Sequence, residues 1–232
     1  MNPCIKLLLS FLIFINVCIQ AETISELEQA SKDVSTLCDP LLVVVIMVKN
    51  EENVINATLE PYIEAGINSF FVLDTGSSDK TVKTVKNYLE EQDVKNAYLI
   101  EEPFVDFATS RNRALELAEE KFPNAAFFLM IDAEWYMTNV EGLIDFCKQH
   151  LFETLPSYSV RITWPGHDSR WYRLIRAHSG ARFVGKVHEV LLPQSGVKVP
   201  GEIYFEFRPT EDGRKTSQLR WLRDRDLLAN AI

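Results

Sequence analysis

Leu41 to Val48 is almost continuously apolar and rich in β-branched residues, the pattern of a strand buried on both faces of a parallel sheet. Two further runs of this kind follow, Ser69 to Leu73 and Ala97 to Ile100, and a fourth spans Ala126 to Ile131. Between them the apolar positions return at helical spacing. Val54 to Ala65 is a predicted helix, as are Lys80 to Glu91 through Val82, Val85 and Leu89, and Ala108 to Lys121 through Ala114, Leu115, Leu117 and Ala118. Parallel strands need helical crossovers, so this alternation predicts a doubly wound α/β sheet. Ligands of such sheets bind beyond the carboxyl ends of the strands. That rule puts Lys49-Asn50-Glu51-Glu52, Asp74-Thr75-Gly76-Ser77-Ser78-Asp79 and the pair Asp132 and Glu134 around one crevice.

After another predicted helix, Val140 to His150, the pattern changes to short strands and turns: Ser157 to Thr163, Arg173 to Arg176, Val187 to Leu192 and Ile203 to Phe207. No strong helical period separates them, which predicts a mixed or antiparallel part built onto the parallel core. Lys215 to Asn230 reads as a closing helix. At the other end, Leu7 to Ile19 is apolar apart from Ser10 and Asn16, follows Lys6 and leads to Ala21, which reads as a secretory signal peptide. Its 13 positions fall short of the roughly 20 apolar residues a membrane-spanning helix needs, leaving a short signal anchor as the alternative. The expected organisation is therefore a signal peptide or anchor at 1–21, a polar lead-in at 22–40, and one domain at 41–232.

A chain of 232 residues can bury one sizeable core, and its formal net charge of -9 argues against a nucleic-acid binder. An anionic ligand would need local help from Arg, Lys or a metal. Cys4 and Cys18 lie in the signal segment. Cys38 and Cys147 fit no zinc spacing, and Cys147, on an apolar helix face, reads as core. Asn56-Ala57-Thr58 is a glycosylation sequon, expected to be unused because it lies in a predicted helix near the crevice.

The strand Phe127 to Ile131 ends in Asp132-Ala133-Glu134. Magnesium and manganese prefer oxygen ligands and, when they serve phosphorylated substrates, take one or two carboxylates from the protein and the rest from phosphate and water. The pair suggests such a metal carrying a diphosphate; the plainer alternative is an acidic turn. No G-x-G-x-x-G follows the first strand and no P-loop is present, so dehydrogenase and P-loop readings fall away. Thr109-Ser110-Arg111-Asn112-Arg113 opens a helix, where Arg111 can pair bidentately with phosphate or simply be solvated. Asp74 heads a segment of turn and cap residues, and its place at a strand end favours a ligand contact.

Met47 to Glu52, Leu73 to Thr81, Phe107 to Asn112, Ile131 to Glu134 and Gly185-Lys186-Val187-His188-Glu189 together resemble the family 2 glycosyltransferases of GT-A fold, over Leu41 to Leu192. The resemblance implies a Rossmann-like, mostly parallel sheet flanked by helices. It implies that Asn50, Glu51, Glu52 and Asp74 hold the base and ribose of a nucleotide-sugar, with Arg111 near the diphosphate. Asp132 and Glu134 take the family's D-x-D place, which binds Mn2+ or Mg2+, and His188 matches a histidine that completes the metal shell. The reaction implied is inverting transfer to a glycan, protein or lipid acceptor, with no nucleic acid involved. Glu189 is the first candidate for the general base and Asp168 the second, although Glu189 can equally position His188. Trp164, Trp171 and Tyr172 are candidates to stack on a sugar or to be core.

One departure stands out. Relatives commonly read D-A-D-E, whereas Glu134 replaces the second acid here and Trp135 the third. A non-catalytic relative that binds sugar or protein therefore stays open, as does a metal-dependent phosphohydrolase. The signal segment points to the secretory pathway, an endomembrane lumen or the exterior, with a membrane anchor if uncleaved.

Overall fold

A computed structural model describes residues 39–210. The expected signal segment, residues 22–38 of the expected lead-in and the expected helix Lys215 to Asn230 lie outside them. In chain order the elements are β1 (Leu42–Val48), α1 (Ile55–Glu64), β2 (Ser69–Asp74), α2 (Thr81–Glu91), β3 (Asn96–Glu101), α3 (Phe107–Lys121), β4 (Phe127–Ile131), β5 (Trp135–Thr138), α4 (Val140–Gln149), β6 (Ser157–Trp164), β7 (His167–Arg176), β8 (Arg182–Val184), β9 (Val190–Leu192) and β10 (Tyr204–Phe207).

The expected α/β class holds. One eight-stranded sheet runs β3-β2-β1-β4-β7-β6-β10-β5, and β8 with β9 forms a separate hairpin. The β3-β2-β1-β4 half is wholly parallel, with helical crossovers between its strands. Its central strands are mostly apolar because both faces are covered: every residue of β2 and β4 is buried, and Phe70, Phe71, Phe127 and Phe128 are fully so. Each such ring contributes about 2–3 kcal/mol by leaving water. On one face α3 packs on β1, β2 and β8; α1 packs against β5 and α2.

From β4 onward the pairing is mixed. β7 runs antiparallel to both β4 and β6, and β10 lies parallel to β6 and antiparallel to β5. Here the structure corrects the sequence reading in three places. β7 starts at His167 rather than Arg173, because Pro165-Gly166, with Gly166 at φ +80, closes a tight hairpin and leaves Asp168 opposite Thr163 in the ladder. Only Val190 to Leu192 of the expected Val187 to Leu192 strand is extended, since His188 adopts φ 55. β5 and β8 were not anticipated; runs of four and three residues carry too little periodicity to register.

Candidate active site

The carboxyl ends of β1, β2 and β4 open on a cavity of roughly 1090 Å³, closed from the other side by β6, β7 and the segment around the β8–β9 hairpin. Asn50, Glu51, Arg111, Asp132, Glu134, His188 and Glu189 all line it. Glu52, Asp74 and Asp168 do not. Asp168 sits on the β6–β7 hairpin, exposed and gripped by Arg161 through Nε (3.0 and 3.1 Å) and Nη2 (2.6 Å). That guanidinium holds its carboxyl below the usual aspartate range.

The loops after β1 and β2 are hydrogen-bonded to each other. Asn50 N donates to Ser77 Oγ (2.9 Å), Ser78 N to Asn50 Oδ1 (2.7 Å), Glu51 N to Thr81 Oγ1 (2.7 Å) and Lys80 N to Glu52 Oε2 (2.9 Å). Glu52 is thereby occupied in fixing the second loop. Asp74, 1% exposed, lies just beneath. Its Oδ1 accepts from Gly76 N and Ser77 N, while its Oδ2 is buried with no hydrogen-bond partner among the described residues. An orphaned buried carboxylate oxygen at a strand end suits a hydroxyl donor such as a ribose.

Arg111 reaches the cavity from the first turns of α3, whose amino end is capped by Asp106 accepting from Thr109 N (2.7 Å). Asn112 ties the same helix to β8: its Nδ2 donates to Phe183 O (2.8 Å) and its Oδ1 accepts from Phe183 N (2.7 Å). Phe107 N adds a bond to Lys186 O. These contacts bring Gly185 to Glu189 onto the start of α3. Arg111 Nε then donates to Glu189 Oε1 (2.6 Å) and Nη2 pairs with Asp132 Oδ1 (2.6 Å).

A second arginine completes the cluster. Arg173, from the middle of β7, places Nη2 3.5 Å from Asp132 Oδ2 and 3.7 Å from Glu189 Oε1. Arg111 is 4% exposed and Arg173 2%. Around Arg173 stand Trp135, Trp171 and Phe183, whose ring centroids lie 4.9, 5.4 and 5.5 Å from its Cζ. Burial works against the charge of Arg111, but Asp132 and Glu189 outweigh it and raise its pKa above the ordinary value. Burial and the neighbouring Arg111 push Arg173 down to about 10, against the pull of the same two acids. Both arginines keep an Nη1 that is buried and unpartnered among the described residues.

The sequence reading missed Arg173 as a site residue. Its one local signal is a charge set between Tyr172 and the apolar pair Leu174-Ile175, in the buried end of the strand, a place charged residues occupy only with partners. The structure also explains Trp135. Buried at the start of β5, it meets Trp171 edge-on at 5.4 Å, leans on Phe205 at 5.4 Å and gives its face to Arg173.

Glu134 stands at φ 66, a left-handed conformation that costs a side-chain-bearing residue about 1–2 kcal/mol. Four hydrogen bonds hold it there. Its N donates to Thr58 Oγ1 (3.2 Å), its O accepts from Arg208 N (3.1 Å), and its Oε1 accepts from Thr210 N (2.7 Å) and Oγ1 (2.6 Å). Thr58, the sequon threonine, is thus buried and engaged. The expected metal trio is not assembled: among the described residues no three His, Cys, Asp or Glu side chains converge. Asp132 turns its oxygens to two arginines, Glu134 turns one to Thr210, and His188 is exposed. As placed, these residues do not fit a protein-held Mn2+ or Mg2+.

No family model and no curated protein matches the chain. Among solved structures it is similar to a mannosyltransferase from Pyrobaculum calidifontis in complex with GDP-Man and Mn2+, at 22% identity and a TM-score of 0.45 over 52% of this chain and 35% of that one. It is also similar to glucosyl-3-phosphoglycerate synthase from Mycobacterium tuberculosis in complex with Mn2+, UDP and glucosyl-3-phosphoglycerate, at 16% identity and a TM-score of 0.40 over 58% and 46%. The chain thus spans less than half the length of either.

Proposed function

We propose that this chain is a family 2 glycosyltransferase of GT-A type, moving a sugar with inversion from a nucleoside-diphosphate donor to a glycan, protein or lipid acceptor. The observation that carries the reading is convergence. Segments far apart in sequence, Asn50 to Glu51, Arg111, Asp132 to Glu134 and His188 to Glu189, meet on one cavity at the carboxyl end of a parallel sheet.

In the reaction, an acceptor hydroxyl attacks the anomeric carbon as the bond to the diphosphate oxygen breaks, and that bond's electron pair leaves with the nucleoside diphosphate. The guanidinium groups at the cavity wall face the place where this charge develops. Asp74 holds the loop after β2 from beneath, through Oδ1, and supports the donor site without lining the cavity. The acceptor's proton goes to a carboxylate, and Glu189 is the candidate base. Glu189→Gln separates its roles, because the amide oxygen can still accept from Arg111 Nε while the base is gone. Loss of turnover with donor binding retained supports the base; loss of both assigns Glu189 to orienting Arg111. Trp164, Trp171 and Tyr172, which also line the cavity, are offered to the sugar and acceptor. The apolar run near the N-terminus supports a secretory-pathway setting, an endomembrane lumen supplied with nucleotide-sugars or the exterior, with a membrane anchor if it is uncleaved.

The test is a panel of UDP- and GDP-sugars, read by donor binding and by release of free nucleoside diphosphate, with and without acceptor glycans. Donor cleavage that Asp132→Ala abolishes supports the reading. Binding without turnover identifies a non-catalytic relative, and no donor binding at all ends the proposal.

A further inference from the structure

We propose that Arg111 and Arg173 form a clamp that holds the donor's diphosphate without a divalent metal. The proposal rests on the nucleotide-sugar reading above and specifies how the site carries the charge of that substrate.

The first argument is the state of the two guanidiniums. Arg111 uses Nε and Nη2 on Glu189 and Asp132, and Arg173 uses Nη2 on the same pair. Nη1 of each remains buried without a partner among the described residues, on a side chain that lines the cavity. A buried charged donor left unmade is expensive, so folds rarely tolerate one, let alone two on adjacent side chains. Phosphate oxygens are the acceptors that planar guanidiniums match best.

The second argument is rigidity. Arg173 is confined by Trp135, Trp171 and Phe183, so its plane is set before any ligand arrives. Asp132 and Glu189 fix Arg111 in the same way. Little side-chain freedom remains to be lost on binding.

The third argument concerns the alternative. A metal ion bound at Asp132 would draw that carboxylate away from both arginines. It would also set a double positive charge beside two buried single ones. Glu134, the other acid of the pair, is turned to Thr210. The four clustered side chains carry no net charge, and Lys49 and Arg170 on the same cavity wall offset Glu51 and Glu134, so the attraction for an anion comes from the two fixed guanidiniums and not from an excess of positive charge. An incoming diphosphate therefore meets cations already in place.

Isothermal titration calorimetry of the full chain with inorganic pyrophosphate tests this, once in EDTA and once in excess Mn2+. We expect binding in EDTA at an affinity that manganese changes by less than about twofold, and a loss of at least about tenfold in Arg173→Gln, the scale of one charge-assisted bidentate contact. Arg173→Lys keeps the charge but loses the fork, and is expected to fall between the two. Pyrophosphate binding that appears only with Mn2+, or that is unaltered in a folded Arg173→Gln protein, overturns the clamp. Should Arg173→Gln fail to fold, the comparison of EDTA with Mn2+ on the unaltered chain still decides. Nucleotide-sugar turnover measured alongside keeps the two readings apart. Turnover that requires Mn2+, without pyrophosphate binding in EDTA, upholds glycosyl transfer and overturns the clamp. Metal-free pyrophosphate binding without turnover of any donor upholds the clamp and overturns glycosyl transfer.

Discussion

Trp135 and Arg173 solve each other's problem: the ring gives a desolvated guanidinium a face to rest on, and the guanidinium lets a large indole fill the base of a polar cavity. Trp135→Leu removes a desolvated cation–π contact and leaves a void, so stability should fall by about 3–5 kcal/mol in urea unfolding. Trp171→Leu, at a half-exposed ring, should cost clearly less. A pH dependence follows from the depressed Arg173 pKa. Its folded value near 10 lies below the ordinary arginine value, so its charge works against folding at lower pH and that cost fades as pH rises through and beyond about 10. Anion binding runs the other way, since it needs the charge. Pyrophosphate affinity should hold below about pH 10 and weaken above it, and calorimetry should show this arm missing in Arg173→Gln. Of the single residues in the cavity, the strand-end acids and Arg111 were legible because their neighbours in sequence carry the pattern. Arg173 was not, because what makes it a site residue lies at Asp132, Glu189 and Trp135, all distant along the chain.

Among the elements, α3 and the β8–β9 hairpin behave as one unit, joined through Asn112 by two hydrogen bonds. Asn112→Ala leaves the Phe183 N–H and C=O without their side-chain partner, which should cost about 1–3 kcal/mol. Glu189 should then drift from Arg111, so donor turnover should fall further than donor binding when both are measured on the folded variant. This pairing was visible in sequence only as two separate motifs, Phe107 to Asn112 and Gly185 to Glu189; their junction was not. The long parallel strands were readable because burial on both faces writes an unbroken apolar run. β5 and β8 were not, since each is defined by a partner rather than by its own few residues. The acidic loop after β1 was readable as part of the site, yet Glu52 proved to brace the loop after β2.

Across the whole molecule, the cavity draws its wall from Met47 to Thr210, nearly the full span of described residues. Among the described residues β10 is the last strand to arrive in sequence, and β5, at the sheet's edge, pairs with it alone. Phe205→Ala, at a fully buried ring touching Trp135, should therefore destabilise by about 3–5 kcal/mol and shift tryptophan emission to the red as Trp135 gains water. An unshifted spectrum in a destabilised variant would detach β10 from the cavity. The same strand order bears on synthesis. While the chain emerges from the ribosome, the parallel half can assemble as its strands leave the exit tunnel, but the slot between β6 and β5 stays open until residue 207 has cleared it. A nascent chain holds its strand-end acids early and has no completed pocket for them, so binding in this cavity waits until β10 has joined the sheet.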